Sequence, residues 1–436
     1  MRLLLLLILY ITYSISGFGQ SGFQYTSKKN KIKIPFQLKN NLLFIPMHVN
    51  GVELTFLLDT GVEETILFSL QDKEEVEFNQ VETIKLKGLG NAAPIEGLKS
   101  SRNKVVVTPD FIDYNHSIYV LLNEEVNISA AVGIPVNGIM GYAFFKDFPM
   151  KIDYINQVIT IHEKTTPKVN RKYKKYKKFP ITLENSKPYL ETNFKVDTIP
   201  FHAKLLIDVG NSDAIWLFSN LMDSFKIPAN SFNDLLGHGF SGPIFGERAK
   251  LEDFYFDDFK FNEPIIAFPD SLSIQNVKLV PNRVGSMGAE ILKRFNLFID
   301  YKNAEFGFQK NRHFSNPFHY NMSGLEIHHS GLAWISEKLK VNDPNLLKTV
   351  ASMGFYYKFE LKPVFVISNV REGSPAAEVG LKKDDVVLTL NKKEVHTYTL
   401  ENINNLLKSE EGKHISIEVQ REEKILKFEF VLKSIF

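Results

Sequence analysis

Residues 56–69 read FLLDTGVEETILFS, and residues 205–219 read LLIDVGNSDAIWLFS. Each is an apolar run, then Asp-x-Gly, then a short polar patch, then a second apolar run closing on Phe-Ser. The likeness extends downstream. Gly138-Ile139-Met140-Gly141 is matched by Gly285-Ser286-Met287-Gly288, and Ile152-Asp153-Tyr154 by Ile299-Asp300-Tyr301. Asp59 to Asp208 is 149 residues, Gly138 to Gly285 is 147, and Asp153 to Asp300 is 147. Three pairs whose spacings agree to within two residues mark an internal duplication of roughly 150 residues.

Short apolar runs bounded by turn signals predict strands at Leu42–His48, Thr55–Leu58, Lys104–Thr108 and Ser117–Leu122. The second half repeats them at Tyr189–Lys195, His202–Ile207 and Phe254–Phe261. The helix candidates in the two halves are short, Ala143–Lys146 and Ala289–Arg294. The expected fold is mainly β, each half a barrel or sandwich with a helix late in the lobe. In both halves a strand delivers a carboxylate into a turn whose Gly allows close backbone approach. Two such turns, related by the duplication, bring Asp59 and Asp208 together. Carboxylates that close share a proton, so one activates a water as base while the other donates to a carbonyl.

Composition narrows the alternatives. Apolar residues make up 44% and charged residues 23%, which is ordinary globular composition. Lys plus Arg is 52 against 50 Asp plus Glu, a net charge of +2, which argues against a nucleic-acid coat protein. There is no cysteine, so disulfides, cysteine-ligated zinc, iron–sulfur clusters and a cysteine nucleophile are excluded. The His residues show no zinc spacing, and no metal or organic cofactor is expected. Arg2, the apolar Leu3–Ile11 and the small residues up to Gly19 have the pattern of a secretory signal peptide over residues 1–19. That apolar stretch falls short of the roughly 20 residues of a spanning helix. The expectation is an exported protein, periplasmic or extracellular, with no stable membrane span after cleavage.

With both Asp-x-Gly turns in place, the sequence resembles an aspartic peptidase of the retropepsin and pepsin group. The matching motifs are LLDTG and LIDVG, each followed about 80 residues later by a Gly-ended apolar turn, Ile139–Gly141 and Ser286–Gly288. The resemblance implies a bilobal endopeptidase, lobe 1 at residues 30–165 and lobe 2 at 180–312. Its catalytic residues would be Asp59 and Asp208, supported by Thr60, Gly61, Val209 and Gly210. It implies a flap at Gly88, Leu89 and Gly90, a weaker counterpart at His238–Gly242, and peptide or unfolded-protein substrates. One departure bears on activity. The family carries Thr or Ser after each catalytic Asp, and Thr60 fits while Val209 does not. The missing hydroxyl leaves a cross-loop partner unbonded, at about 1–3 kcal/mol if it stays buried and dry. A catalytically impaired peptide-binding scaffold of the same fold is therefore the alternative. Val62 and Asn211 stand where the family places Ser or Thr; Val62 cannot donate to the carboxylate and Asn211 can. Fewer donors raise the pair's pKa and move the expected optimum toward neutral pH.

Other charged clusters read as structural. Asp153 and Asp300 are expected to shape matched strand exits, and Glu63, Glu64 and Asp213 to be solvated. Lys168–Lys178 carries seven basic residues around Tyr173 and Tyr176. Residues 166–179 read as a solvated, nickable inter-lobe linker.

Beyond Phe314 the duplication stops. The string NVREGSPAAEVGLKKDDVVLTLN, residues 369–391, closely resembles the PDZ domains of exported bacterial proteases. That resemblance implies a domain over 318–436, a β-sandwich plus helices, with an insertion at 331–362. Its carboxylate-binding loop would hold Ser323, Gly324 and Leu325, and its ligand would be a peptide terminus or edge strand. Leu400–Leu407 would line the other wall, and Asn342–Ala351 is predicted as a short helix within the insertion.

Overall fold

The computed structural model describes residues 22–70, 75–86, 95–122, 128–196, 199–222, 225–239, 242–274, 280–340 and 355–436. The protein is mainly β, 53% strand against 11% helix. Residues 1–19, the segment 87–94 with Gly88, Leu89 and Gly90, and the predicted helix Asn342–Ala351 lie outside the described residues. No helix among the described residues is long and apolar enough to cross a membrane. Packing divides the chain into two units. One comprises Met1–Val126, Val136–Ala229 and Leu236–Pro317; the other comprises Asn127–Pro135, Asn230–Leu235 and Phe318–Phe436.

The duplication is visible in how the strands pair. Val52–Leu58 runs antiparallel to Leu42–Val49 and parallel to Gly138–Met140, which returns antiparallel to Thr65–Leu67. Ile199–Ile207 runs antiparallel to Lys187–Val196 and parallel to Arg283–Met287, which returns antiparallel to Ile215–Leu217. The central strands read as continuous apolar runs because both faces are covered: successive residues Phe56, Leu57 and Leu58, and Leu205, Leu206 and Ile207, are all buried. The feeding hairpins turn through paired left-handed residues, Asn40–Asn41 in one half and Asn185–Ser186 in the other. That geometry suits two-residue hairpin turns and tolerates Asn. The late helices form at Tyr142–Phe145 and Ala289–Leu292.

The predicted barrels are not found. Each half has a large sheet whose strand path runs from Gln24–Tyr25 to Val81–Leu86 in the first, where Ile95–Thr108 and Phe111–Leu121 pair in addition, and from Phe232–Gly239 to Phe259–Asn262 in the second. The predicted strand Phe254–Phe261 is two strands, broken where Asp257 turns left-handed. A six-stranded sheet joins the halves in the order Lys177–Pro180, Glu305–Lys310, Phe295–Asp300, Met150–Asp153, Val158–His162, Lys31–Pro35. At its centre Met150 lies opposite Ile299, Lys151 opposite Phe298 and Ile152 opposite Leu297. Asp153 and Asp300 do shape the strand exits, each accepting from the Asn three residues on, Asn156 and Asn303.

The expected solvated linker is structured. Thr166 caps the helix Pro167–Lys172, which has Pro in its first turn. Tyr173 and Tyr176 then turn inward and pack with Phe298 in a buried cluster, and Lys177–Pro180 joins the sheet. Only the Lys and Arg side chains of this run carry the polarity that marked it as linker; its two Tyr rings belong to the core.

The second unit is a five-strand path, Leu325–Lys340, Phe355–Val370, Val386–Leu390, His414–Arg421 and Lys424–Val431. Its core gathers Ile367, Leu390, Ile403, Leu407 and Ile417. Leu400–Leu407 is helical as predicted, started by a capping box between Thr399 and Asn402. In the described part of the insertion, residues 331–340 and 355–362, the first two strands continue as a pair. There Trp334 pairs with Leu361 and Ser336 with Phe359, and Leu332, Trp334, Tyr357, Phe359 and Leu361 are exposed.

Candidate functional site

Asp59 and Asp208 are set by the same local device. The Asp59 N–H donates to Met140 O at 3.0 Å and the Asp208 N–H to Met287 O at 2.9 Å. Each parallel strand thereby pins the start of its turn. The N–H of Gly61 then donates back to Asp59 Oδ1 at 2.6 Å, and that of Gly210 to Asp208 Oδ1 at 3.1 Å. A Cβ on Gly61 would fall 3.0 Å from Asp208 Cγ, and one on Gly210 would fall 2.1 Å from Asp59 Cγ. Each turn's glycine therefore lies against the opposite carboxyl, and a side chain there has no space. The later glycines serve the same loops: a Cβ on Gly141 would be 2.3 Å from Val62 O, and one on Gly288 would be 2.3 Å from Asp213 O.

Thr60 crosses between the halves. Its hydroxyl donates to Ile207 O at 2.6 Å and accepts from the Val209 N–H at 3.0 Å, all buried. Val209 is fully buried and can return neither bond. Bracing continues outside the turns, where Asn41 Nδ2 donates to Ser212 O at 2.7 Å and Ser186 Oγ to Glu63 Oε1 at 3.3 Å.

Burial pushes the Asp59 carboxyl well above the ordinary carboxylate range, and the adjacent Asp208 charge adds to the shift. Burial also raises Asp208, against the pull of the Arg283 guanidinium. The two carboxyls are hydrogen-bonded to each other. Both carboxyls are thus held above the ordinary range, as expected of a pair that shares one proton. Arg283 is itself buried and held by Gly285 O at 3.2 Å and Ser286 Oγ at 2.9 Å. Lys187, half-buried, has its pKa lowered by desolvation and by Arg283, against attraction from both carboxylates. Neither cation was anticipated from the sequence. Aligning the halves would have shown them, because Arg283 stands opposite Val136 and Lys187, directly after its hairpin turn, stands opposite Leu42.

Two further placements differ from expectation. Asp213 is braced, accepting from Trp216 Nε1 at 2.7 Å and Arg248 at 2.9 Å, because Trp216 is buried with only its N–H left to satisfy. Asn211 Oδ1 accepts from the Asp213 N–H in a local turn. A polar chain also went unforeseen. Thr65 Oγ1 meets His116 Nε2 at 2.7 Å, and His116 Nδ1 meets Asp113 Oδ2 at 2.8 Å. All three are buried, so this Thr-His-Asp set ties strands together behind the Asp59 turn.

In the second unit, the loop Met322–Leu325 turns where predicted. Gly324 is left-handed, and a Cβ there would lie 2.2 Å from Ser374. Two of its three candidate donors are engaged internally: the Ser323 N–H bonds Asn321 Oδ1 and the Leu325 N–H bonds Ser323 Oγ, each at 3.0 Å. Ser374 caps the helix Pro375–Glu378, and Arg421 grips Asp385 through two bonds at 2.6 and 2.7 Å.

No curated protein matches the chain. The family described as PDZ domain matches residues 366–421. That span covers the last five residues of the second strand, the capped helix at Ser374, and everything through His414–Arg421. Residues 366–421 of this chain are a PDZ domain, a peptide-binding module.

Proposed function

We propose that the duplicated halves form the two lobes of an aspartic endopeptidase of the retropepsin and pepsin type. The observation that carries the reading is the facing of the two Asp-x-Gly turns, each glycine against the other turn's carboxyl. A water held between the carboxyls loses a proton to the ionised member of the pair and attacks the peptide carbonyl. The protonated member donates its proton to the carbonyl oxygen. Collapse of the tetrahedral intermediate passes a proton to the leaving nitrogen, and the pair returns to one shared proton. Desolvation of both carboxyls favours an optimum nearer neutral pH. Export, drawn from the pattern of residues 1–19, completes the proposal.

The absent hydroxyl at Val209 favours one rival, a peptide-binding scaffold without turnover. Digestion of a mixed peptide library by the full chain across pH 3–8, read by mass spectrometry, separates the two. Asp59→Asn and Asp208→Asn each abolish cleavage on the peptidase reading. Cleavage surviving both substitutions, or absent from the parent protein at every pH with peptide binding retained, overturns it. A rate maximum below about pH 4 contradicts the neutral shift alone.

A further inference from the structure

In a PDZ fold a peptide adds as a strand to an open sheet edge, with a helix as the facing wall. Here the edge strand is Leu325–Lys340, first in the five-strand path. The facing helix is Leu400–Leu407. The unit also includes the helix Ile128–Val132, contributed by the chain between the strands Phe111–Leu121 and Gly138–Met140. That helix packs along Leu325–Lys340. Val132 is buried, and a Cβ on Gly133 would fall 3.0 Å from Cβ of Leu400, the first residue of the facing helix. The chain thus touches both walls of the cleft. The loop that would receive a free carboxylate has the Ser323 and Leu325 amides already bonded to side chains of its own.

We propose that the PDZ cleft is occupied by this chain's own residues 128–133, so that an outside peptide binds by displacing them. A helix laid over a sheet edge covers it. An incoming extended peptide adds along that edge as a strand, while the resident is one short helix with a single buried side chain, Val132. The engaged loop amides favour an internal stretch of chain over a carboxyl terminus as the competing ligand. The proposal stands on the PDZ domain alone and holds whether or not Asp59 and Asp208 hydrolyse anything.

Hydrogen exchange on the full chain tests it. Val132→Glu is expected to speed exchange of the amides of residues 325–329 at least tenfold, leaving Val386–Leu390 and His414–Arg421 unchanged. A synthetic peptide with the sequence of residues 126–135, VNISAAVGIP, added at millimolar concentration, then restores protection. Unchanged exchange at 325–329 overturns the proposal, as does a peptide without effect. Should Val132→Glu unfold the unit, seen as lost protection across Val386–Leu390, a second variant decides. The chain has no cysteine, so Gly133→Cys with Leu400→Cys has one disulfide to form. Oxidation is expected to close the bond and block binding of the fluorescently labelled 126–135 peptide, and reduction to restore it. Failure to form the bond, or equal binding in both states, overturns the proposal.

Discussion

At the scale of single residues, the two turns are unequal partners. Thr60 supplies both cross-loop bonds, and Val209 supplies only its backbone N–H. Val209→Thr changes little in volume and adds the reciprocal donor in a buried place. It is expected to stabilise the fold by about 1 kcal/mol, read as a higher midpoint in urea with an unchanged slope. No gain would mean that the opposite loop is already satisfied. The carboxyls make a pH prediction. The Asp59 pKa is raised in the folded state, so the folded protein keeps a proton that the unfolded chain releases above about pH 4. Stability therefore falls as pH rises from there toward the folded pKa. Asp59→Asn removes that dependence. Its melting temperature relative to the parent is expected to rise as pH climbs above about 4, and an offset that does not change with pH would contradict the raised Asp59 pKa. The carboxylates and glycines of this site were legible because the duplication repeats them. Arg283 and Lys187 were not, because each occurs in one half and lone cations ordinarily read as surface.

At the scale of elements, continuous apolar runs announced the central strands, and the two late helices appeared within a residue or two of their predicted starts. The basic run at Lys168–Lys178 misled because charge density outweighed two aromatic residues. Its Tyr173 and Tyr176 rings stand 5.2 Å apart by centroids, and Tyr173 lies 4.6 Å from Phe298. Tyr173→Ala is expected to destabilise the protein by about 3–5 kcal/mol, the range for emptying a buried aromatic site. Limited proteolysis is the direct check: the parent resists trypsin across 168–178, and the variant is cut there. Parent protein nicked at these lysines under native conditions would restore the solvated linker. The helix Ile128–Val132 was illegible for the opposite reason, since five small or apolar residues carry too little periodicity to show which unit they pack with.

At the scale of the whole chain, the repeat, the change of module beyond Phe314 and the mainly β character were all in the sequence. Two short segments, Asn127–Pro135 and Asn230–Leu235, belong by packing to the C-terminal unit although they are encoded within the repeat. Segment membership of that kind depends on distant partners and leaves no local mark. The sheet that joins the halves has a consequence of its own. Lys151 faces Phe298, and 298 − 151 is 147, the offset of the duplication itself. Met150 faces the counterpart of Ile152, and Ile152 faces the counterpart of Met150. Reciprocal contact of this form is what two identical subunits make across a twofold axis, an isologous interface. The single chain carries within it the contact of a symmetric homodimer, centred on residues 151 and 298. Fusion frees two such subunits from identity, and here Arg283, Lys187 and Val209 in one half stand against Val136, Leu42 and Thr60 in the other.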